Sequence, residues 1–115
     1  MAAAAKQTAF VQNLVKRLHT SDLELQNTDG YTAFCFAAVS GAVEIAEVMY
    51  KENENLPTIR TSRGKTPLEM AILLGHRKMV EYLYPITPLE DLSATEFIEI
   101  LVATIDTDMY GMKYF

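Results

Sequence analysis

The sequence is poor in cysteine, lacks tryptophan and contains no long hydrophobic run. Its single cysteine, Cys35, cannot form an internal disulfide, which is typical of a protein from a reducing compartment. No stretch reaches the ~18 consecutive apolar residues of a membrane-spanning helix. The opening "MAAAA" leads into Lys6 and Gln7 rather than into the apolar core of a secretory signal. We therefore expect the chain to be cytoplasmic.

Positive charge is also scarce. The chain has 10 basic and 15 acidic residues, which gives a net charge of −5. Nucleic-acid-binding proteins usually carry a basic patch, so we expect no nucleic-acid partner. Half of the residues are hydrophobic, and this composition favours a packed core over disorder. A length of 115 residues suits one small domain over residues 1–115.

Four of the five glycines form two pairs that recur 34 residues apart. The segment "DGYTAFCFAAVSGAVEIAEVMY" (29–50) aligns without a gap with "RGKTPLEMAILLGHRKMVEYLY" (63–84), at an offset of 34 residues. The aligned pairs are Gly30 and Gly64, Thr32 and Thr66, Phe34 and Leu68, Ala37 and Ala71, Gly41 and Gly75, and Tyr50 and Tyr84. Self-similarity at a fixed period indicates an internal structural repeat.

The residues of one unit predict two short helices and a turn. Thr66 and Glu69 have the spacing of a capping box at a helix start. Pro67 would occupy the first helical position, where its missing N–H costs nothing. Gly75 would end this first helix as a left-handed cap, and a second helix with apolar residues at three- and four-residue spacing would run to Pro85. Because one such pair cannot bury its apolar faces alone, we expect neighbouring pairs to stack.

The units at both ends depart from this pattern. We predict a partial repeat at 2–27, full repeats at 28–60 and 61–90, and a degenerate or truncated helical unit at 91–115. Ser93 and Glu96 form the capping box of the last unit, and the Thr87–Glu90 copy of the repeat motif is interpreted as a linker. The apolar stripe predicted for the last helix is Phe97, Leu101, Ile105 and Met109. Both ends look cut, so we expect a fragment, a truncated gene product or a short splice form.

These residues resemble the ankyrin repeat, whose signature is T-P-L-H-x-A. The segment from Thr66 to Ala71 matches all of it except the histidine, and Cys35 replaces that histidine in the preceding unit. The resemblance implies an all-α solenoid of stacked helix-turn-helix units with short hairpin loops. In the family the histidine ties neighbouring turns together, so its loss predicts a less rigid stack.

A narrower resemblance is to plant ankyrin proteins of the accelerated-cell-death type. The segments that carry it are "LELQNTDGYTAFCFAAVSGAVEIAE" and "GKTPLEMAILLGHRKMVEYLY". Those proteins combine cytoplasmic ankyrin arrays with a membrane domain. The resemblance thus implies a plant signalling or defence protein at the cytoplasmic face of a membrane, represented here by a fragment without the membrane domain.

The family resemblance also implies a non-catalytic adaptor that binds a protein partner of unknown identity. Family contacts lie at the turn tips and on the exposed face of the first helix. Carried over by alignment, the candidate partner-binding residues are Thr28, Asp29, Tyr31, Val39, Ser40, Ser62, Arg63, Lys65, Leu73 and Leu74. Leu73 and Leu74 occupy usually polar positions, so they either mark an interaction site or are core leucines whose neighbouring repeat is missing. We expect no metal and no cofactor.

The sequence leaves other functions open. A truncated regulatory fragment of a membrane-anchored plant protein would act by competing in its assemblies. An enzyme would use Cys35 as its nucleophile, although no positioned base is identifiable. Apolar repeat edges without a neighbour would favour self-association or marginal stability.

Overall fold

Six α-helices make up most of the protein in the computed structural model, which describes residues 2–106, with side chains from 7–90 and 92–102. The helices are α1 (Ala2–Lys16), α2 (Ala33–Ser40), α3 (Val43–Glu52), α4 (Pro67–Leu73), α5 (Arg77–Leu83) and α6 (Ala94–Asp106). Short 3₁₀ turns lie at Thr20–Glu24, Leu56–Thr58, Tyr84–Ile86 and Leu89–Asp91. Residues 2–106 contain no β-strand, and the all-α prediction is confirmed.

The start of α4 shows how the sequence sets the helix boundaries. The Glu69 N–H donates to Thr66 Oγ1 at 3.2 Å, and the Thr66 N–H donates to a Glu69 carboxylate oxygen at 3.5 Å. These two bonds confirm the capping box, and Pro67 is the first helical residue, as predicted. In α2 the N–H of Cys35 donates to Thr32 Oγ1 at 3.1 Å. Both first helices therefore begin directly after the threonine of the repeat, which is the N-cap.

The helices form two layers. In the first layer α2 packs against α4, and α4 packs against α6. In the second layer α1 packs against α3, and α3 packs against α5. The pairs α2–α3 and α4–α5 join the layers, so each full unit contributes one helix to each layer. By position, α1 is the second helix of a unit and α6 is the first helix of another.

The core lies between these layers. Its fully buried side chains include Phe34, Ile72, Met79 and Leu83, each no more than 1% exposed. Ala38, Ala46 and Ala71 are completely buried, and their small size lets the helices approach closely. Fully burying a large apolar side chain stabilises the fold by roughly 1.5–3 kcal/mol, so this shared core is what makes the stacked units mutually dependent.

Helix α6 begins at the predicted capping box and carries the described part of the predicted apolar stripe on its exposed side. Its capping box is present, since the Ser93 N–H donates to Glu96 and the Glu96 N–H donates to Ser93 Oγ, at 3.0 and 3.2 Å. The two described residues of the stripe do not pack against α4, since Phe97 is 44% exposed and Leu101 is 58% exposed. Ile100, at 9% exposure, is buried instead, on the same side as Glu96, which forms an ion pair with Arg60.

Two further predictions concern the rest of the stripe and the Thr87–Glu90 motif. The Ile105 side chain and Met109 lie outside the described residues. The Thr87–Glu90 motif starts no α-helix and leads only into a 3₁₀ turn at Leu89–Asp91, so its interpretation as a linker is confirmed. Within residues 2–106, every helix falls short of the combined length and hydropathy needed to cross a bilayer.

Candidate interaction surface

Two equivalent hairpin turns precede the first helices of the full units. The Asn27 N–H donates to the Tyr31 carbonyl at 3.0 Å, and the Thr61 N–H donates to the Lys65 carbonyl at 2.9 Å. Gly30 has a φ of 82° in the first turn, a conformation that favours glycine because it has no Cβ. The recurrence of this turn places the loop tips of successive units in the same orientation.

The two hairpins lie directly against each other. The Ser62 N–H donates to the Asp29 carbonyl at 3.0 Å, and Gln26 Nε2 donates to the Arg60 carbonyl at 2.8 Å. Gln26 also donates to the carbonyl of its own turn, at Gly30, at 2.7 Å. These bonds connect neighbouring turns by a route that does not need the family histidine.

Arg60 repeats the role of Gln26 one unit later. The two residues are 34 positions apart, and Arg60 donates to the Gly64 carbonyl of its own turn at 2.9 Å. It also forms an ion pair with Glu96 of α6, and the hydrogen bond from Arg60 is the main reason why the pKa of Glu96 is lowered. A side chain at this position therefore ties each unit to the next.

A groove lies between the hairpins and the exposed side of α4. Its volume is about 470 Å³. The lining residues are Asp29, Tyr31, Thr61, Ser62, Arg63, Lys65, Met70 and Leu73. Six of the ten residues expected to bind a partner thus line a single concave surface.

The four other candidate residues lie outside this groove. Thr28 is exposed in the first hairpin, and Ser40 is exposed at the end of α2. Val39 is half-buried, and its carbonyl accepts a hydrogen bond from His76 Nε2 at 2.7 Å. Leu74 is 49% exposed at the end of α4. The structure therefore does not bring these four residues into the groove.

Leu73, the leucine that lines the groove, is exposed although the neighbouring helix α6 is present. Leu73 is 51% exposed although α6 packs against α4. An absent neighbouring helix on that side therefore does not account for its exposure. This favours the interaction-site reading of Leu73 over the reading as a misplaced core residue.

The two cations of the groove differ in their surroundings. Lys65 Nζ lies 2.7 Å from a Glu99 carboxylate oxygen and 3.6 Å from one of Glu69. Its hydrogen bond to Glu99 is the largest cause of a raised pKa of Lys65. Arg63 is exposed at the rim. Because Lys65 is held by carboxylates of the protein, Arg63 is the cation better placed to meet a charged partner.

Sequence reasoning missed the residues that link the units. Gln26, Arg60 and Asn53 were not singled out, and neither were Thr61 and Met70 of the groove. The signal for Gln26 and Arg60 was available, because both stand four residues before the turn glycine of their unit. For Asn53 no local signal exists, since its partners lie at Thr20 and Glu24, about 30 residues earlier in the chain.

Cys35 is not placed for catalysis. It is 1% exposed, and burial raises its pKa to about 11, so it is a neutral thiol near pH 7. Nucleophilic cysteines are thiolates in partly exposed, electropositive surroundings. Among the described residues, no group of three or more His, Cys, Asp or Glu side chains is arranged to hold a metal ion.

The buried thiol gives a direct prediction. We expect Cys35 to react with a disulfide reagent such as DTNB on the order of a hundredfold more slowly in the native protein than in urea-unfolded protein, because burial blocks access and suppresses the thiolate. Stopped-flow absorbance in both states measures this ratio. Equal rates in the native and unfolded states would show that Cys35 is accessible and reactive in the fold.

Helix pairs stacked in two layers, with hairpins side by side at one edge, define a repeat solenoid with an extended concave surface. The family model for ankyrin repeats (3 copies) matches residues 1–96, and the chain belongs to the ankyrin repeat family. Over 74 residues it is 32% identical to an ankyrin repeat protein of Rickettsia bellii (strain RML369-C), a match that covers 64% of this chain. The chain spans 44% of the length of that relative. No solved structure matches the chain significantly.

Ankyrin repeats indicate a protein–protein interaction module, and the family generally serves as a non-catalytic scaffold.

Proposed function

We propose that the protein binds a partner protein through the groove between its hairpins, without catalysis. The observation that supports this most is the convergence of six family-implied contact residues on one groove. They come from three parts of the chain: the first hairpin, the second hairpin and α4. Such a convergence is what a stack of units supplies and what a single unit could not.

The lining of the groove suggests the chemistry of the partner. Tyr31, Met70 and Leu73 offer apolar surface, and an exposed apolar patch with a polar rim is typical of an interaction site. Arg63 stands at the rim, and its planar guanidinium suits bidentate binding of a carboxylate. The proposed ligand is therefore a protein segment that carries an acidic residue next to an apolar or aromatic one.

Charge reversal at the rim tests this proposal. Peptides selected from a displayed random library on the wild-type protein should be enriched in acidic and apolar residues. We expect Arg63→Glu to weaken their binding at least tenfold, or about 1.4 kcal/mol, as measured by fluorescence polarisation. Arg63 is a better position for this test than Lys65, whose reversal would also disturb the pairs with Glu69 and Glu99.

Two further variants control for this result. Leu73→Asp should weaken the same peptides, because it puts a charge on the apolar part of the groove. Lys51→Glu changes the same charge on the exposed side of α3, so it should leave binding unchanged. Selected peptides that bind the Arg63→Glu and wild-type proteins equally would show that the groove is not the binding site.

The biological setting is proposed on the narrower resemblance alone. The two segments that resemble plant proteins of the accelerated-cell-death type support a signalling or defence role at the cytoplasmic face of a membrane. An alternative is a regulatory fragment that competes with a longer, membrane-anchored relative. Sequencing the transcript on both sides of this reading frame tests both, and a transcript without any membrane-spanning segment would count against them.

A further inference from the structure

The surface at one end of the stack is an apolar groove between α1 and α2. Its volume is about 660 Å³. Seven of its lining residues are apolar: Phe10, Val11, Ala33, Phe36, Ala37, Ala42 and Ile45. Phe10 is 65% exposed and Phe36 is 48% exposed. Large aromatic surfaces rarely stay open to water without a binding function.

The opposite end of the stack is an apolar helix face. On α6, Phe97 is 44% exposed, Ile98 is 60% exposed, and Leu101 and Val102 are each 58% exposed. These residues recur at three- and four-residue spacing, so they form one continuous strip on the helix. The strip points away from α4, against which α6 packs.

The two ends of the stack are complementary, because each end carries the helix that the other end lacks. The first layer runs α2, α4, α6, and the second layer runs α1, α3, α5. At one end α6 is a first helix, and at the other end α1 is a second helix. If α6 of one copy lies beside α1 and α2 of another, both layers continue without interruption, and the two half-units form one complete helix pair.

Helices α1 and α6 are also similar in length and opposite in the sign of their charged residues. At 1.5 Å per residue, α6 is roughly 20 Å long and α1 is roughly 22 Å long. Among the described side chains, α1 carries Lys16 and no acidic residue, and Arg17 follows, whereas α6 carries Glu96 and Glu99 and no basic residue. These two carboxylates already pair with Arg60 and Lys65. The Glu99 side chain remains 47% exposed beside Lys65, so it can still attract the basic end of α1 and orient the encounter. Apolar burial supplies the affinity.

We propose that the protein associates with itself head to tail, with α6 of one copy docked in the α1–α2 groove of the next. The contact is heterologous, because two different surfaces meet. Within residues 7–102, each copy in such a contact keeps one open groove and one open helix face, so association continues beyond a dimer unless the assembly closes into a ring. The docking surfaces are separate from the groove between the hairpins, so this inference does not depend on the proposed function.

Two complementary variants test the arrangement. Phe10→Glu blocks the groove and leaves α6 intact, and Leu101→Glu blocks α6 and leaves the groove intact. Each should weaken self-association at least tenfold in sedimentation velocity over a wide range of protein concentration. Both residues are mostly exposed, so circular dichroism should show an unchanged fold.

The mixture of the two variants is the decisive sample. The Phe10→Glu protein offers a working α6 and the Leu101→Glu protein a working groove, so an equimolar mixture should form one-to-one dimers and nothing larger. Leu25→Glu, at a 73% exposed position outside both surfaces, is the control and should associate like the wild type.

Several results would overturn the proposal. One is a wild-type protein that stays monomeric at every concentration, as it would if another segment of the chain covered α6. A second is loss of association in Leu101→Glu together with normal association of Phe10→Glu, which would mean that α6 pairs with α6. A third is a mixture of the two variants that stays monomeric.

Discussion

Replacing Gly30 with alanine is expected to lower the free energy of unfolding by about 3–5 kcal/mol, an effect that combines backbone strain and overpacking. A Cβ atom at this position would lie 2.3 Å from the backbone nitrogen of Ser62 and 2.9 Å from the carbonyl carbon of Thr61. Because both neighbours are backbone atoms, the hairpins would have to separate. Separation breaks the hydrogen bond from the Ser62 N–H to the Asp29 carbonyl. Urea denaturation followed by circular dichroism measures the loss.

Gly64 supplies a matched control for this prediction. It occupies the same position in the next unit and has a similar φ of 78°, but a Cβ there would meet nothing within 4 Å. Gly64→Ala therefore carries only the left-handed strain, about 1–2 kcal/mol. The difference between the two variants isolates the contact between the hairpins. Equal losses would mean that this contact contributes nothing to stability.

Replacing Asn53 with aspartate is expected to cost about 2–4 kcal/mol, although the two side chains have nearly the same shape. Asn53 is 7% exposed, and its Nδ2 donates to the Thr20 carbonyl at 2.7 Å and to a Glu24 carboxylate oxygen at 2.9 Å. Aspartate would place an acceptor against these two acceptors and add a negative charge beside Glu24. Thermal and urea unfolding at neutral pH measure the effect.

The pH dependence of the Asn53→Asp effect and a control substitution at Asn55 distinguish burial of the charge from a general effect of negative charge. The buried aspartate would have a raised pKa in the folded state, because burial and the Glu24 carboxylate both disfavour its charged form. The destabilisation should then diminish as pH falls and the carboxyl becomes a donor. Asn55→Asp, at an exposed position, should change stability little. Similar losses in both variants would point to a general effect of negative charge in this segment.

The helix starts could be predicted because their causes are local. Thr66, Glu69 and Pro67 lie within four residues of one another, and their hydrogen bonds form inside the same turn. The same holds for Ser93 and Glu96. A cap needs no information about the rest of the fold, so a sequence pattern is sufficient to find it.

The buried face of α6 could not be predicted in the same way. Phe97 and Leu101 form the more hydrophobic line, yet the line through Glu96 and Ile100 is the one that faces the protein. The contacts on that side are non-local, because Ile100 belongs to the shared core and Glu96 pairs with Arg60. Hydrophobic spacing identifies an amphipathic helix, but the partner across the interface selects which side is buried.

The sequence could predict the candidate site only as a set of positions along the chain, and not the contacts that these residues make. The resemblance placed contacts at turn tips and on first helices, and six of these residues do line one groove. The sequence could not show that Lys65 is engaged by Glu99, since that carboxylate lies 34 residues away. It also could not separate Leu74 from Leu73, because the end of a short helix turns adjacent residues in different directions.

The central claim is that the two full units are stable only through the contacts they share. Native-state hydrogen exchange in the Gly30→Ala variant tests it most directly, because the substitution lies in the first unit and the readout can be taken in the second. We expect the amides of Met70, which donates to the Thr66 carbonyl at 3.1 Å, and of Ile72 in α4 to lose protection together with those of α2. Wild-type protection in α4 beside a loosened α2 would show that the units fold independently and would contradict the account.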